Sequence, residues 1–220
     1  MPIRAVIFDL DGLIVDSEPL HQAAFHRLFQ NHGIDYHFDE DEYGRHFVGI
    51  PVSQNTAWLP PRFDWNKPVA ELIQEREQIF EGLIANPINL KAFPGLRKVL
   101  DVLQEKKLRT AVASGSPRHH VTMVLQGLQI ESYFSVILGG NDVPKKKPAP
   151  DVYIRAIELL GFPSEDCIAL EDSITGVVAA KSAGLKVFAV PNRYTQHQDL
   201  SAADICLSSL IDLLPYLPDS

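Results

Sequence analysis

Short, almost wholly apolar runs alternate along the chain with longer segments in which apolar residues recur at helical spacing. Five runs are rich in β-branched or aromatic residues, at residues 3–8, 109–113, 135–138, 167–170 and 186–190. Such runs are typical of strands that a parallel sheet buries on both faces. Helices are predicted between the later runs, at residues 94–106, 117–127, 150–160 and 174–183. The alternation predicts an α/β fold, a doubly wound parallel sheet with a Rossmann-like core that binds ligands at the carboxyl ends of its strands.

Residues 16–93 break this alternation. A first helix is predicted at residues 19–31, where Gly33 ends it, and a longer helix at residues 69–85. Between these helices lie an acidic turn at residues 39–42 and the separating prolines Pro51, Pro60 and Pro61. We therefore predict a helical domain, residues 16–93, which is inserted after the first strand into a core formed by residues 1–15 and 94–220.

The composition is that of an ordinary globular protein. Hydrophobic residues make up 45% of the chain and charged residues 22%, unlike a disordered chain. The formal net charge is −8 without an extended basic run, which argues against nucleic-acid or anionic-membrane binding. No apolar stretch approaches the roughly 20 residues of a membrane span, and the N-terminus lacks a signal-peptide pattern. We expect a cytoplasmic monomer in which Cys167 and Cys206, both within apolar runs, are buried free thiols.

Two aspartates follow the first predicted strand, in the sequence Phe8-Asp9-Leu10-Asp11-Gly12. Residues two apart on a strand project to the same face, so both carboxylates are expected at one site. Two adjacent buried carboxylates are electrostatically costly unless a cation balances them. The alternative is a polar loop start with a helix cap, which accounts for one aspartate more easily than for two.

A small hydroxyl turn follows the second core strand, in the sequence Ser114-Gly115-Ser116-Pro117. A hydroxyl and backbone N–H groups at a helix start form a cradle that suits a phosphate group. An ordinary helix N-cap has the same appearance in sequence, and it remains the alternative here.

Charged groups also follow the next two strands. Lys147 ends a run of three lysines, and Pro148 favours an extended conformation at that residue, although a solvated face is the alternative. The pair Glu171-Asp172 follows the strand predicted at residues 167–170, where helix capping is again the alternative. Because the carboxyl ends of parallel strands meet at one edge, a lysine there would balance the charge of carboxylates and of a phosphate.

Carboxylates, hydroxyl, lysine and carboxylates occur in this order at successive strand ends, and the order resembles the haloacid dehalogenase superfamily. The helical insertion after the first motif is similar to the C1 cap of that superfamily. Residues 11–18, 147–151 and 171–176 resemble the branch that holds beta-phosphoglucomutase and the small sugar phosphatases. The four matching motifs are Asp9-Leu10-Asp11-Gly12, Ser114, Lys147-Pro148 and Glu171-Asp172.

The resemblance implies a phosphatase, a phosphoric monoester hydrolase whose nucleophile is Asp9. Asp11 would be the general acid for the leaving alkoxide and then the base for water. Ser114, with the following N–H groups from Gly115 onward, would hold the phosphoryl oxygens. Lys147 would neutralise charge on Asp9 and on the phosphoryl group.

The resemblance also implies a metal cofactor and a substrate class. Mg²⁺ would be held by Asp9, the Asp11 backbone carbonyl and Asp172, with Glu171 acting through a metal-bound water. The substrate would be a small phosphorylated metabolite, a sugar phosphate by the branch that the chain resembles. His21 matches a position that couples the acid/base residue of the mutase to cap closure, and a surface or helix-packing histidine is the alternative.

Two other functions stay open at this point. The first is an isomerase of the beta-phosphoglucomutase type. It would need a cap arginine three residues after Gly49, where Val52 stands, and a cap lysine before the return to the core, near Gly82, unless Arg45 or Lys91 substitutes. The second is a non-catalytic phosphometabolite-binding protein. Among the other residues of interest, we expect His119 and His120 at the surface, and an aromatic set that either lines a substrate pocket or forms the core of the cap: Trp58, Phe63 and Trp65.

Overall fold

The structure is a computed structural model that describes residues 3–39, 42–44, 47–48, 50, 52–63 and 65–218. The chain divides into two compact units, one formed by Met1–Asp16 and Leu90–Ser220 and the other by Ser17–Asn89. We call them the sheet unit and the helical unit. None of the helices in the described part combines the length and apolarity needed to cross a bilayer.

A six-stranded parallel sheet forms the centre of the sheet unit, with the strand order β3-β2-β1-β4-β5-β6. This arrangement confirms the predicted doubly wound α/β fold, because the order reverses on either side of the first strand. The sixth strand was not predicted, since two residues are too short to produce a periodic pattern. The strands are β1 (Ala5–Phe8), β2 (Arg109–Ala113), β3 (Val136–Leu138), β4 (Cys167–Glu171), β5 (Lys186–Ala189) and β6 (Ile205–Cys206).

Helices connect the strands of the sheet unit, and each lies within two residues of its predicted bounds. They are α4 (Leu96–Glu105), α5 (Arg118–Gly127), α6 (Asp151–Leu160) and α7 (Ile174–Ser182). Gly161 ends α6 with a φ of 74°, a left-handed conformation that glycine adopts at little cost. Short 3₁₀ helices cover Glu131–Tyr133, Ser164–Asp166 and Leu210–Tyr216.

The core of the sheet unit lies between the sheet and its helices. Side chains of β1, β2 and β4 such as Ile7, Ala111 and Ala169 are fully buried there, as expected for the central strands of a parallel sheet. Cys167 belongs to this core, and burial raises the pKa of its thiol to about 11, which makes it unreactive. The expectation for Cys206 was wrong: it lies exposed on the edge strand β6.

The helical unit contains α1 (Glu18–Asn31), α2 (Val52–Phe63) and α3 (Val69–Ile84), followed by a 3₁₀ turn at Pro87–Asn89. The first and third match the predicted helices. The second was not predicted, because Pro60 and Pro61 lie inside it and proline normally disrupts a helix interior. Both prolines are within its last turn, where buried Thr56 and Leu59 anchor the helix against its neighbours.

Aromatic rings fill the interior of the helical unit. The Phe29 ring centroid lies 5.3 Å from that of Phe63 and 6.2 Å from that of Trp65, and Trp58 lies 5.9 Å from Phe47. Edge-to-face and tilted contacts of this kind stabilise aromatic clusters. The contacts of these aromatics are those of a packed core within the helical unit, which was one of the two alternatives.

The chain leaves and re-enters the sheet unit at adjacent points. Val15 and Ala92 form an antiparallel bridge. On either side of it, the Asp16 N–H donates to the Lys91 carbonyl at 2.9 Å and the Phe93 N–H donates to the Ile14 carbonyl at 3.0 Å. The two ends of the helical insertion are therefore tied together by backbone hydrogen bonds.

Candidate active site

Three central strands end level with one another, which brings their polar residues together. Phe8 of β1 pairs with Val112 of β2 and with Leu170 of β4. The Asp9 N–H extends this ladder by donating to the Leu170 carbonyl at 3.0 Å. Asp9, Ser114 and the pair Glu171-Asp172 thus emerge at the same edge of the sheet, and all of them are buried.

Lys147 lies at the centre of this edge. Its ammonium group donates to Asp9 Oδ1 at 2.7 Å, to Glu171 Oε1 at 2.6 Å and to the Tyr153 hydroxyl at 3.2 Å. The Tyr153 hydroxyl in turn donates to Glu171 Oε1. Three donors meet three acceptors, so the Lys147 ammonium group has no spare N–H and can influence a ligand at this edge only through its charge. Lys146 is exposed.

Asp9, Glu171 and Asp172, the carboxylate cluster, carry more negative charge than Lys147 balances. Burial raises the pKa values of the Asp9 and Asp172 carboxyls, and it raises the pKa of Glu171 to about 7. Burial acts to lower the pKa of Lys147, but Asp9 and Glu171 outweigh it, and that pKa lies well above its ordinary value. The cluster therefore strongly favours an additional positive charge.

The geometry of the carboxylate cluster suits a hard cation. One oxygen from each of its three residues lies within 4.8 Å of the others. Glu171 Oε2 is buried and has no hydrogen-bond partner among the described residues, which marks a need for compensation. A divalent cation with oxygen ligands would provide it. The described residues thus form a candidate metal site.

The turn after β2 differs in detail from the predicted cradle. The Ser116 N–H donates to Ser114 Oγ at 3.0 Å, and the Arg118 N–H donates to Asn141 Oδ1 at 2.8 Å, so neither is free for a ligand. Among the described residues, the Gly115 N–H makes no backbone hydrogen bond. Because Ser114 Oγ accepts from Ser116, its own proton remains available to donate. The turn therefore offers a ligand fewer free hydrogen-bond donors than predicted.

Asp11 has a partner that sequence reasoning missed. Ser116 Oγ donates to Asp11 Oδ2 at 2.7 Å. The contact joins the first strand end to the turn after β2 across 105 positions of the chain, and no local pattern indicates it. It fixes the orientation of a carboxylate that the sequence predicts to be an acid and base.

The other predicted residues lie elsewhere. His21 stacks on Phe80 within the helical unit, with ring centroids 4.1 Å apart, and its Nδ1 is hydrogen-bonded to Arg76. These contacts correspond to the helix-packing alternative for His21. His119 is exposed, but the expectation for His120 was wrong, because its side chain faces inward from α5 and is buried.

Arg76 is a cation that the sequence analysis did not identify. It is fully buried in α3, donates to Glu77 Oε1 at 2.9 Å, and lies over the rings of Phe25 and Phe80. The helical unit therefore contains a buried positive charge at Arg76. Gly82, the position compared with a cap cation of the mutase, faces open space. Gly49 and Arg45, on which the comparison with the mutase depended, lie outside the described residues.

The chain is similar to known proteins over nearly its whole length. A family model for haloacid dehalogenase-like hydrolases matches residues 6–190. Protein CbbY of Rhodobacter capsulatus is 32% identical over 214 residues, which cover 93% of this chain and 92% of that protein. Hexitol phosphatase B of Escherichia coli K12 is 31% identical over 217 residues, which cover 96% and 94%. A crystal structure of CbbY from Rhodobacter sphaeroides in complex with phosphate matches with a TM-score of 0.83 at 30% identity, covering 96% of each chain.

Gly176 tests how tightly the cluster is packed. A Cβ atom at this position of α7 would lie 1.9 Å from the Glu171 carboxyl carbon. Gly176→Ala should therefore destabilise the protein by roughly 1–3 kcal/mol, despite the better helix propensity of alanine. Gly82→Ala in α3 is the matched control, because its Cβ meets nothing within 4 Å. The control should gain up to about 1 kcal/mol. Urea unfolding measures both, and equal effects would contradict this packing.

The raised pKa values predict how stability depends on pH without a metal. Folded Glu171 holds its proton up to about pH 7, whereas its ordinary pKa is 4.5. The folded state therefore binds more protons in this window, and stability falls as pH rises through it, by about 3 kcal/mol for this group. Urea unfolding in EDTA between pH 5 and 8 measures the fall. Glu171→Gln should flatten the profile, and an unchanged slope in this variant would refute the assignment.

Proposed function

Since the chain belongs to the haloacid dehalogenase-like hydrolases and is a phosphatase-type enzyme, we propose that it hydrolyses a sugar phosphate through a phosphoenzyme on Asp9. The observation that carries the proposal is the buried ion pair of Asp9 with Lys147 beside two further carboxylates. A carboxylate held by a fixed lysine at a strand end is oriented, and in its ionised form it is able to attack phosphorus. The clustering of all four motifs at one edge argues against a protein that only binds phosphometabolites.

The proposed reaction has two steps that share one acid/base group. In the first, an Asp9 carboxylate oxygen bonds to phosphorus, the bond to the substrate oxygen breaks, and Asp11 gives that oxygen a proton. In the second, Asp11 takes a proton from water as the water attacks phosphorus, which releases inorganic phosphate and restores the Asp9 carboxylate. The hydrogen bond from Ser116 holds one oxygen of the Asp11 carboxylate in place.

The remaining residues of the sheet edge stabilise charge in this scheme. Lys147 offsets the charge of Asp9 and of the phosphoryl oxygens, while Ser114 and the Gly115 N–H donate to those oxygens. We propose Mg²⁺ as the cofactor, held by Asp9, Asp172 and the Asp11 carbonyl, with Glu171 in support. When bound, Mg²⁺ would neutralise phosphoryl charge and orient the phosphate.

The substrate class comes from the relatives. One is named a hexitol phosphatase, and another, from Thermotoga maritima, is named a phosphorylated carbohydrates phosphatase, 31% identical over 188 residues. Both names describe the removal of phosphate from a sugar or a sugar alcohol. We propose that this chain acts on the same class, with water as the acceptor.

The nucleophile is tested by replacing its carboxylate. Asp9→Asn should lower kcat by several orders of magnitude, because an amide is a poor nucleophile. Phosphate release from p-nitrophenyl phosphate with Mg²⁺ measures this, and mass spectrometry of the acid-quenched wild type should find phosphate on Asp9. Asp101→Asn, an exposed change on α4, is the matched control and should keep full activity. Near-normal turnover by Asp9→Asn would overturn the assignment.

The acceptor is tested against the mutase. A mutase needs cations that can contact the second phosphate of its intermediate, whereas the Arg76 side chain is fully buried and does not present its charge to such a phosphate. We expect ³¹P NMR of β-glucose 1-phosphate, with a trace of glucose 1,6-bisphosphate, to record inorganic phosphate without build-up of an isomer. Clean conversion to glucose 6-phosphate with little free phosphate would instead establish the mutase.

A further inference from the structure

A loop after β5 reaches the carboxylate cluster from a part of the chain that no motif indicates. It comprises residues 190–198, which we call the β5 loop, and its Asn192 side chain donates to a carboxylate of the cluster. We propose that Asn192 is a positioning residue, which holds the Asp172 carboxylate in the orientation that binds the metal. The inference rests on the proposed function, because it assumes that Asp172 is a metal ligand.

Both the nitrogen and the oxygen of the Asn192 side-chain amide form hydrogen bonds. Its Nδ2 donates to Asp172 Oδ2 at 2.8 Å and to the Gly12 carbonyl at 3.0 Å. Its Oδ1 accepts from the N–H groups of Tyr194 at 2.8 Å and Thr195 at 3.2 Å. Two backbone donors on Oδ1 establish which end of the amide is nitrogen, so the donor necessarily faces Asp172.

The contact with Asp172 leaves little freedom. A Cβ atom on Gly12 would lie 2.2 Å from Asp172 Oδ2 and 2.9 Å from Asn192 Nδ2, so the three groups converge on one point. Gly12 itself has a φ of 84°, which favours glycine. When a donor fixes one oxygen of a carboxylate, the orientation of the other oxygen is restricted as well. Partners of this kind tune metal ligands, and their loss typically weakens metal affinity about 10- to 100-fold.

The β5 loop has other attachments that do not involve this amide. The Val190 N–H donates to the Glu171 carbonyl at 2.7 Å. Gln198 Oε1 accepts from the Ile174 N–H, at the start of α7, at 2.8 Å. The loop is thus held at both ends, and removal of the Asn192 side chain should disturb Asp172 more than the path of the loop.

Thr195 offers a matched control. Its Oγ1 accepts from the Asn192 N–H at 3.1 Å, which helps to close the loop, and the side chain is buried. Thr195→Val removes that hydrogen bond with almost no change in volume and leaves the amide in place. If Asn192 acted only by ordering the loop, Thr195→Val would weaken metal binding in a similar way.

The experiment measures metal binding directly, without substrate. Mn²⁺, with its EPR signal, is titrated into the metal-free wild type and into Asn192→Ala, Thr195→Val and Asp172→Asn, after thermal unfolding has established that each is folded. We expect Asp172→Asn to lose the site, Asn192→Ala to bind about 10- to 100-fold more weakly, and Thr195→Val to bind within about threefold of the wild type. In activity assays, Asn192→Ala should need more Mg²⁺ but keep its KM for substrate at saturating Mg²⁺.

Each other outcome overturns a defined claim. Wild-type affinity in Asn192→Ala would refute the positioning role and leave the proposed function intact. Equal weakening by Thr195→Val would also refute it, in favour of loop order. A wild type that binds no Mn²⁺ at the cluster would overturn the metal site of the proposed function, and the inference with it. If Asn192→Ala does not fold, Asn192→Ser replaces it, and the same comparison decides.

Discussion

The carboxylate cluster around Lys147 is the constraint on which the rest of the sheet edge depends. Three carboxylates are buried beside one ammonium group, and burying charge is costly unless each group is paired and hydrogen-bonded. The surroundings follow from this cost. Tyr153 supports Glu171 from α6, and Gly176 has no side chain because any Cβ would collide with that same carboxylate. The cluster is an arrangement that the fold keeps at some expense, as expected of a site that performs chemistry.

The parallel sheet makes this concentration of charge achievable. Strands that are distant in sequence end at one edge, so residues 9, 114 and 171 become neighbours without a long loop. Below that edge the three strands are mostly apolar, and all their residues except Arg109 at the start of β2 are buried, which holds their ends in place. Precision in the site therefore comes from packing in the sheet, in keeping with a rigid scaffold that carries reactive groups on its strand ends.

The sequence predicted what has a local pattern and missed what has none. The buried strands and the amphipathic helices follow from short-range periodicity, and the charged residues come directly after those strands in the sequence. The structure agrees with these predictions. Asn192, Ser116 and Arg76 escaped notice because each has a hydrogen-bond partner at least 55 positions away in the chain. The helix α2 was hidden by Pro60 and Pro61, since tertiary packing outweighed local propensity there. The exposure of Cys206 followed from its place on an edge strand, which composition does not reveal.

The paired backbone segments at Ile14–Asp16 and Lys91–Phe93 have a consequence for how such chains diversify. Backbone hydrogen bonds already join the two ends of the insertion, and we call this pair of segments the neck. The chain of the core is therefore closed at the neck, whatever sequence is inserted there. The entropy of closing a loop grows slowly with its length, so a longer, shorter or different insert would change the stability of the core little. The neck thus separates two evolutionary tasks: the core can preserve its reactive edge while the inserted module is exchanged or reshaped without loss of the sheet.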